Sequence, residues 1–353
     1  MKKITFFTIF FSILWASIIA QTKTQTTITK IAFGSCGNQD KNQPILDLVT
    51  RYKPDMFLFL GDNIYGDTKD MKELKAKYDK LGAKPEYQRL KANTKIFATW
   101  DDHDFGWNDA GRHYPFKKES KEIFLNFFDE PANCERRTRN GIYTSYAFGN
   151  WGKRVQIIML DTRTFRDDLL PYKGAVKEDK RYFYELDYAP HTSKDSTLLG
   201  QDQWKWLEQQ FMEPADLRII CSSTQFAIEY NGYEAWANFP SEQRKMLDLI
   251  RKTHAGGVIF LSGDVHYSEI SSFKEEGLYP IYDFTSSGIT STWHFSTPNK
   301  NRIEGPVMEN HFGLLTIDWE GKDPSLKMEC IDVKNNPRFE FTVPIKSIQF
   351  GLE

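Results

Sequence analysis

The stretch Asp55–Asp67, DMFLFLGDNIYGD, is the clearest indication of the architecture, because a short apolar run ends abruptly in a loop of glycines and oxygen donors. The run MFLFL shows no alternation of apolar and polar residues, which is typical of a strand buried on both faces. Gly61 and Gly66 let the backbone turn closely around Asp62 and Tyr65. The stretch therefore predicts a buried strand that carries a carboxylate and a phenol at its end.

An apolar run followed by a polar cluster occurs at five further places. The segments are ITKIAFGSCGNQD (28–40), KIFATWDDHD (95–104), RVQIIMLDTRTFRDD (154–168), LRIICSSTQF (217–226) and GGVIFLSGDVHYSE (256–269). Helix-like stretches lie at 42–52, 115–131, 199–214 and 241–253. Buried strands that alternate with helices predict an α/β protein whose helices cover the faces of the sheets.

Length and composition fit one large domain. The chain has 353 residues, of which 40% are hydrophobic, so it can bury a sizeable core. From Gly313 onward, the segments GLLTIDW, SLKMECIDV and RFEFTV resemble paired strands, which we expect to complete the second sheet. No composition shift marks a boundary, and we predict a single domain over residues 30–348.

The charge pattern argues against nucleic-acid binding. The chain carries 46 basic and 48 acidic residues, for a formal net charge of -2, and has no long run of either sign. Proteins that bind DNA or RNA through phosphates carry a basic patch or stripe. We therefore expect neither nucleic acid nor another polyanion as a partner.

The N-terminus has the features of an export signal. Lys2 and Lys3 precede an apolar run that ends at Ala20. This order predicts a signal peptide over residues 1–20, a flexible leader over 21–29, and a secreted or periplasmic protein. The alternative is a retained membrane anchor, but the run is short for a spanning helix and nothing later has its length, so we expect no membrane span after cleavage.

The four cysteines do not form a compact framework. Cys36, Cys134, Cys221 and Cys330 are widely spaced. Export would permit one disulfide, yet four cysteines are too few to hold a chain of this length together. We expect the apolar core to stabilise the fold.

Metal-ligating residue types gather at the predicted strand ends. Ligands of open α/β sheets bind outside the carboxyl ends of the strands. A single aspartate after a strand usually caps a turn or a helix. Six such clusters, at least four of them with possible metal ligands, are better explained by one shared site.

The types of donor indicate the kind of metal. The expected ligands are Asp62, Asp102, Asp264 and His266, with help from Tyr65 and Cys36. Carboxylates suit calcium, magnesium or manganese, and a phenolate with a thiolate favours a redox-capable ion such as ferric iron. The set does not suit a structural zinc site, which uses cysteine and histidine at close spacing. Two or three metals held by bridging carboxylates can clamp a phosphoryl group and activate a water.

The motifs GSC, GDNIY, WDDHD, LDTR, GQDQWKWL and SGDVHYSE occur in this order between about residue 30 and residue 290. In this respect the chain resembles the PhoD-like alkaline phosphatases, a branch of the calcineurin-like metallophosphoesterase superfamily. The resemblance implies a four-layer α/β/β/α sandwich, with the metals at the edge of two facing sheets. It also implies a metal set similar to iron with calcium, and manganese, magnesium and zinc remain alternatives.

The resemblance assigns the metal ligands residue by residue. Cys36 stands where the wider superfamily has a histidine, and Tyr65 stands where it has a second aspartate. Asp102 takes the place of an asparagine, and Asp264 the place of a histidine. His266 and Asp62 keep the superfamily residues. No histidine is present in CSSTQF, where Ser223, Thr224 or Gln225 would face the site instead.

Two residues are candidates for catalysis. His103 matches the histidine that aids phosphoryl transfer in the superfamily, and an imidazole there can protonate a leaving alkoxide. The alternative is a histidine that only orients Asp102 or Asp104. Arg163 could clamp a phosphate with two hydrogen bonds, and it could equally pair with Asp161 or another nearby carboxylate.

Two further groups of residues are weaker candidates. His113 and His294 are expected at the surface or in the lining of the site. The insertions between the strands carry aromatic residues that could form a rim for an organic group esterified to phosphate. These are Trp107, Tyr114, Tyr172, Tyr182 and Tyr230.

These observations favour an exported metal-dependent phosphoesterase that hydrolyses phosphomonoesters or phosphodiesters with a metal-activated water. The expected substrate is a small-molecule, lipid or polymer phosphate ester. The alternatives are a phospholipase D-like or polymer phosphodiesterase on the same fold, and a non-enzymatic calcium-binding module. Monoester and diester substrates, the leaving group and the oligomeric state stay open at this point.

Overall fold

The computed structural model describes residues 26–174 and 187–351. The predicted signal peptide, the first part of the predicted leader and Tyr182 lie outside these residues. In the described part of the chain, no helix is both long enough and apolar enough to cross a membrane.

Fifteen strands are formed by the described residues. They are β1 (Lys30–Gly34), β2 (Met56–Leu60), β3 (Lys95–Thr99), β4 (Thr144–Phe148), β5 (Val155–Met159), β6 (Leu170–Pro171), β7 (Tyr188–Ala189), β8 (Leu217–Cys221), β9 (Val258–Ser262), β10 (Ser268–Phe273), β11 (Ile281–Ser286), β12 (Arg302–Val307), β13 (His311–Asp318), β14 (Ser325–Asp332) and β15 (Pro337–Pro344). All six strands predicted from apolar runs are present, as β1, β2, β3, β5, β8 and β9.

Eight α-helices lie between these strands in the described ranges. They are α1 (Pro44–Tyr52), α2 (Met71–Gly82), α3 (Pro85–Asn93), α4 (Asp102–Phe105), α5 (Lys117–Phe127), α6 (Glu135–Thr138), α7 (Gly200–Met212) and α8 (Pro240–Thr253). The four predicted helical stretches correspond to α1, α5, α7 and α8. Pro44 and Pro240 occupy the first turns of α1 and α8, where the missing N–H of proline has no helical partner to lose.

The strands build two large mixed sheets and one short ribbon. The first sheet has the order β15-β14-β13-β1-β2-β3, and the second has the order β12-β10-β11-β9-β8-β5-β4. Strands β1, β2 and β3 are parallel to one another, as are β5, β8, β9 and β11. The carboxyl ends of all six predicted strands therefore lie at two facing sheet edges.

The two sheets face each other and are covered by helices, which confirms the predicted four-layer α/β/β/α sandwich. In β2, Phe57 and Phe59 pack against α1, α2, α3 and α5, whereas Met56, Leu58 and Leu60 belong to the core shared with the second sheet. Full burial of each such side chain contributes roughly 1.5–3 kcal/mol. Residues alternate between two buried faces, which explains why the run MFLFL contains no polar position.

The chain ends extend the first sheet in a way that the sequence did not predict. The C-terminal strands β13, β14 and β15 join the sheet that contains β1, because β13 pairs antiparallel with β1. They do not complete the second sheet as expected. Packing also begins before residue 30, since Ile28 is buried and its carbonyl accepts a hydrogen bond from Trp319 Nε1 at 2.8 Å.

Gly61 controls how closely β2 approaches β3 at their carboxyl ends. Its φ angle is +101°, and a Cβ at this position would lie 2.4 Å from Asp101 Cβ and 2.7 Å from Asp101 N. Only glycine combines this backbone conformation with so short an approach. The contact brings Asp62 next to the turn that starts α4.

We predict that Gly61→Ala destabilises the protein by about 3 kcal/mol or more, because a left-handed conformation and an overpacked contact both become unfavourable. Gly152→Ala is the matched control, since Gly152 also has a positive φ of +85° but no atom lies within 4 Å of the position that a Cβ would take. The control should lose only about 1 kcal/mol. Urea unfolding in EDTA measures both variants, and equal losses would contradict the steric role of Gly61.

Candidate metal centre

The strand ends bring every predicted metal ligand to one rim of the molecule. Cys36 follows β1, Asp62 and Tyr65 follow β2, Asp102 starts α4 after β3, and Asp264 and His266 follow β9. There are three overlapping groups of residues, and within each group the ligand atoms lie within 4.8 Å of one another. These groups are Cys36 with Asp62 and His266, Asp62 with Asp102 and His103, and Asp101 with Asp102 and Asp264.

The two sheets are joined at this rim. Ser35 forms a parallel bridge with Ser287, and its backbone N–H donates to Ser286 O at 3.1 Å. Ser287 also lies 3.0 Å from Cys36 Sγ and accepts a 2.9 Å hydrogen bond from the His266 backbone N–H. The end of β1 and the loop after β9 are therefore held together by one serine hydroxyl.

Several of the predicted ligands have an unfavourable backbone conformation. Cys36, Asp62, Asp264 and His266 all have positive φ angles, between 49° and 71°. This region costs roughly 1–2 kcal/mol for a residue with a Cβ, and it is found preferentially at functional sites. These backbone conformations direct the four side chains, which come from three loops, toward the same region.

The buried acidic groups crowd one another. Burial raises the pKa of Asp62 well above its usual range, and the neighbouring Asp102 raises it further. Burial, followed by repulsion from Asp101, does the same to the pKa of Asp264. The pKa of the Cys36 thiol is also raised well above its ordinary value by burial and by Asp62. These groups can ionise together only if positive charge lies among them.

Unpaired oxygen atoms point to the same conclusion. Asp62 Oδ1 and Asp102 Oδ1 are buried and have no hydrogen-bond partner among the described residues. A buried carboxylate oxygen without a partner is costly, and a bound cation would satisfy it. The donors therefore fit metal ions, which they would hold through carboxylate, thiolate, phenolate and imidazole groups.

Tyr65 and His266 complete the sulfur-containing side of the centre. The Tyr65 ring lies 4.5 Å from the His103 ring and 6.5 Å from the His266 ring, measured between centroids. Burial, followed by Cys36, raises the pKa of Tyr65 well above its usual value. His266 Nδ1 lies 3.0 Å from Ser291 O, so this nitrogen carries the proton and Nε2 remains available as a ligand.

Asp102 differs from the other carboxylates because it is already ionised. Although burial raises the pKa of Asp102, the charges of Arg163 and His103 lower it to about 2. Its Oδ2 accepts a 2.7 Å hydrogen bond from the Asp109 backbone N–H. Asp102 can thus serve two of the three ligand groups without first losing a proton.

Arg163 lies on the interior side of the ligands and does not line the cavity. Its side chain is fully buried, and its guanidinium donates to Asp101 and to both oxygens of Glu234, at 3.0 Å and 2.8 Å for the latter. This arrangement fits the ion-pair alternative better than the phosphate clamp. Asp161 does not pair with the guanidinium, and its Oδ1 accepts instead from the Arg163 backbone N–H at 3.0 Å.

Glu234 is a site residue that the sequence reasoning missed. It joins Arg163 to Arg166, whose Nε lies 3.1 Å from Glu234 Oε1, and all three side chains are buried. Removing one partner of a buried ion pair typically costs about 3–5 kcal/mol. Glu234 lies 71 residues after Arg163 in a loop without a motif, so no local signal marked it.

His103 faces the centre and has a partner of its own. Although burial lowers its pKa, a 2.6 Å hydrogen bond to Asp67 and the nearby Asp62 and Asp102 raise the pKa of His103 to about 11. It does not orient Asp104, which instead accepts from the backbone N–H groups of Asp101 and Asn63, at 2.6 Å and 3.0 Å. A protonated imidazole therefore adjoins the ligand groups.

The two weaker histidine candidates lie outside the centre, whereas Ser223 contacts it. His113 and His294 are exposed, and His113 pairs with Asp168. Ser223 donates to Asp101 Oδ1 at 2.6 Å, whereas Gln225 is directed at Glu269 and Thr285.

All four cysteines are free thiols, so the single disulfide that export would permit is not formed.

A cavity of about 180 Å³ opens onto the ligands. Its aromatic lining differs from the predicted rim, because it consists of Tyr188, Tyr233 and Trp293. Trp107 and Tyr114 pack against each other, with ring centroids 4.8 Å apart, and do not line the cavity.

Comparison with known proteins gives a family for this arrangement. A family model described as PhoD-like phosphatase matches residues 31–311. Alkaline phosphatase D of Bacillus subtilis (strain 168) is 23% identical over 272 residues, which cover 69% of this chain and 43% of that protein. The chain thus spans less than half the length of this relative.

Solved structures share the fold. One described as the structure of PhoD has a TM-score of 0.74 at 16% identity and covers 92% of this chain and 71% of the other. A dimetal phosphatase from Danio rerio has a TM-score of 0.56 at 12% identity, with 92% and 100% coverage. GAP50, an anchor in the inner membrane complex of Plasmodium, has a TM-score of 0.55 at 12% identity, with 90% and 89% coverage.

We predict that Cys36→Ala lowers the metal content of the purified protein. The thiol lies 3.4 Å from Asp62 Oδ2 within one of the ligand groups, and loss of a ligand weakens a metal site. Cys221→Ala is the matched control, because Cys221 is an equally buried thiol in the apolar core. Elemental analysis of protein purified without added metal measures metal ions per chain. Equal contents in the two variants would contradict a ligand role for Cys36.

Proposed function

Since the chain belongs to the PhoD-like phosphatase family, we propose that it is a metal-dependent phosphoesterase. The observation that supports this most strongly is the set of three ligand groups that share Asp62 and Asp102. Carboxylates shared in this way suit ions only a few ångströms apart, as two-metal phosphoryl-transfer sites require. In the reaction, one water adds to phosphorus, the ester P–O bond breaks, and the alcohol leaves with a proton.

We propose iron and calcium as the metals. Cys36, Tyr65 and His266, with Asp62, offer the mixed sulfur, oxygen and nitrogen set that suits iron, whereas the carboxylates of Asp102 and Asp264 suit calcium. When bound, such ions would polarise phosphoryl oxygens and lower the pKa of a water. Membership of a phosphatase family supports the dependence on metal, and the choice of iron and calcium rests on the types of donor atom.

The chain's own residues have distinct roles in this proposal. His103 lines the cavity and holds a proton that Asp67 stabilises, so it can donate a hydrogen bond to phosphoryl oxygen or protonate the leaving alcohol. Arg163 holds Asp101 in position through an ion pair. It also pairs with Glu234, which lines the cavity. Asp101 in turn accepts from Ser223, which fixes the carboxylate beside Asp102.

We propose that diesters are better substrates than monoesters. Six carboxylates line the cavity, and no lysine or arginine is among its lining residues in the described ranges. At neutral pH a phosphomonoester carries about two negative charges, whereas a diester carries one. The lining carboxylates that do not bind metal therefore repel the monoester more strongly.

We also propose that the chain is exported and acts in the periplasm or outside the cell. The support is the basic and apolar N-terminal sequence, whose residues 1–20 have the pattern of a cleavable signal.

We predict that bis-p-nitrophenyl phosphate is hydrolysed with a kcat/KM at least tenfold above that of p-nitrophenyl phosphate, and that Asp62→Asn lowers both by at least 100-fold. Asp55→Asn is the control, because Asp55 lies at the opposite end of β2 and an amide oxygen can still accept from Thr29 N and Lys30 N. Release of p-nitrophenol measures the rates. Unchanged rates in Asp62→Asn would contradict the proposal, and a monoester preference would contradict its diester part.

We predict that the full chain, expressed in a bacterium and recovered from outside the cytoplasm, begins at Gln21. Intact-mass spectrometry measures this, and Ala20→Arg, which places a bulky charge at the cleavage position, should retain residues 1–20. Recovery of the uncleaved wild-type chain in the membrane fraction would favour the anchor.

A further inference from the structure

A second cavity lies apart from the metal centre, between α5 and residues 137–141. Its volume is about 270 Å³, and it shares no lining residue with the cavity over the metal ligands. The charged residues of its lining are five cations and one carboxylate, namely Lys117, Lys118, Lys121, Arg137, Arg139 and Glu122. We call this cavity the α5 pocket, and its lining is positive where the lining at the metal centre is negative.

The two arginines of the α5 pocket already have acidic partners. Arg137 Nη1 lies 3.1 Å from Glu122 Oε2, and Arg139 pairs with Glu135. The three lysines differ, because no carboxylate within residues 26–174 and 187–351 lies within 4.0 Å of their ammonium nitrogens. Their positive charge is therefore not balanced by an ion pair in the described part of the chain.

Lys121 is the most deeply buried of the three lysines, with only 9% of its surface exposed. Its ammonium donates to the backbone carbonyls of Arg137 and Arg139, and an ammonium has three N–H donors. Burial lowers the pKa of Lys121 by more than the nearby Glu122 and Asp161 raise it. Among the described residues, one N–H donor and much of the charge of this ammonium thus remain without a partner.

Asp161 is close to the α5 pocket but does not neutralise the lysines. Its Oδ1 accepts from Trp100 Nε1 at 3.0 Å, and its Oδ2 accepts from Thr164 Oγ1 at 2.6 Å and from the Ile142 backbone N–H at 2.9 Å. Trp100 and Thr164 line the pocket, whereas Asp161 is fully buried and does not. The carboxylate is occupied by these neutral donors, so the lysines keep their charge toward the cavity.

The start of α5 adds to the positive potential. Lys117 and Lys118 are the first two residues of this helix, and no side chain caps its N-terminus. The first N–H groups of a helix have no helical partner, and the helix dipole places positive charge at the same end. Cations in the first turn are therefore unfavourable unless an anion lies beside them, as phosphate does at many helix N-termini.

From these observations we propose that the α5 pocket binds a phosphate dianion, either the free ion or the end of a phosphomonoester. Phosphate oxygens accept hydrogen bonds from ammonium groups, and three unpaired lysines attract two negative charges more strongly than one. The volume of about 270 Å³ leaves room for a small organic group on the phosphate. The inference does not rest on the proposed phosphoesterase function, because the pocket contains none of the metal ligands.

Equilibrium dialysis of the protein as purified, against radiolabelled inorganic phosphate at low salt, measures the binding. We expect Lys117→Gln/Lys118→Gln to weaken phosphate binding at least about tenfold, because two charges near the ligand are lost. Lys118→Gln alone, at an exposed position, should weaken it about threefold, and this variant serves if the double variant does not fold.

Lys72→Gln is the matched control. Lys72 is likewise the second residue of its helix, α2, and its exposed side chain has no carboxylate partner in the described ranges. It does not line the α5 pocket, so phosphate binding should change by less than about twofold. Equal binding by Lys117→Gln/Lys118→Gln and Lys72→Gln would overturn the inference.

Asp62→Asn separates the α5 pocket from the metal centre, where phosphate can also bind. We expect this variant to keep the phosphate binding that Lys117→Gln/Lys118→Gln weakens. Binding that is lost in Asp62→Asn and unchanged in the lysine variants would overturn the inference, as would the absence of binding up to about 10 mM phosphate. Loss of hydrolysis alone would count against the proposed function and leave the pocket untouched.

Unlabelled competitors identify the ligand. Dimethyl phosphate carries one negative charge and should compete at least about tenfold less well than inorganic phosphate, and equal competition would overturn the assignment of a dianion. Phenylphosphonate carries two charges at mildly alkaline pH, and its P–C bond resists ester hydrolysis. Competition equal to that of phosphate would support a phosphomonoester as the ligand, and weaker competition would support the free ion.

Discussion

The repulsion among buried acidic groups at one sheet edge is the constraint on which the rest of the structure depends. Asp102 shares one ligand group with Asp62 and another with Asp101 and Asp264, and within each group the ligand atoms lie within 4.8 Å of one another. Asp62, Asp101 and Asp102 are almost entirely excluded from water, and Asp264 is partly buried. Left alone, such a cluster would separate or bind protons. The fold holds it together with Arg163 and Arg166 behind the ligands, with loops in the left-handed conformation, and with two sheets that meet at Ser35 and Ser287.

The positive charge is divided between the protein and the ions that it would bind. Arg163 pairs with Asp101 and Glu234 at the rear of the centre. The front of the centre, around Cys36, Asp62 and Asp264, has no arginine or lysine among the described lining residues of the cavity. This asymmetry leaves the front for cations that arrive from solution.

Much of this arrangement could be predicted from the sequence. Continuous apolar runs predicted the six strands, because a strand covered on both faces has few polar positions. Polar residues directly after the runs predicted the shared site, because parallel strands end at the same edge. The motifs around Asp62, Asp102 and His266 were sufficient to propose metal ligands, whose roles stay predictions.

Long-range partners could not be predicted in the same way. Glu234 and Trp293 meet the centre through loops that lack a periodic pattern, so only the folded chain brings them there. Trp107 and Tyr114, two of the aromatic residues proposed for the rim, pack against each other and do not line the cavity, because a ring's surroundings and not its identity decide whether it faces a cavity. The C-terminal strands were assigned to the wrong sheet, since an apolar strand pattern does not specify its neighbour.

The pairing of β1 has a consequence for how the molecule is assembled. This strand lies between β2, which follows closely in the chain, and β13, which ends at Asp318. During synthesis one of its edges stays open until β13 follows, about 280 residues further along the chain. A pairing over so long a stretch of chain is slow to form, because the entropy of closing the loop is lost before the contact stabilises the sheet.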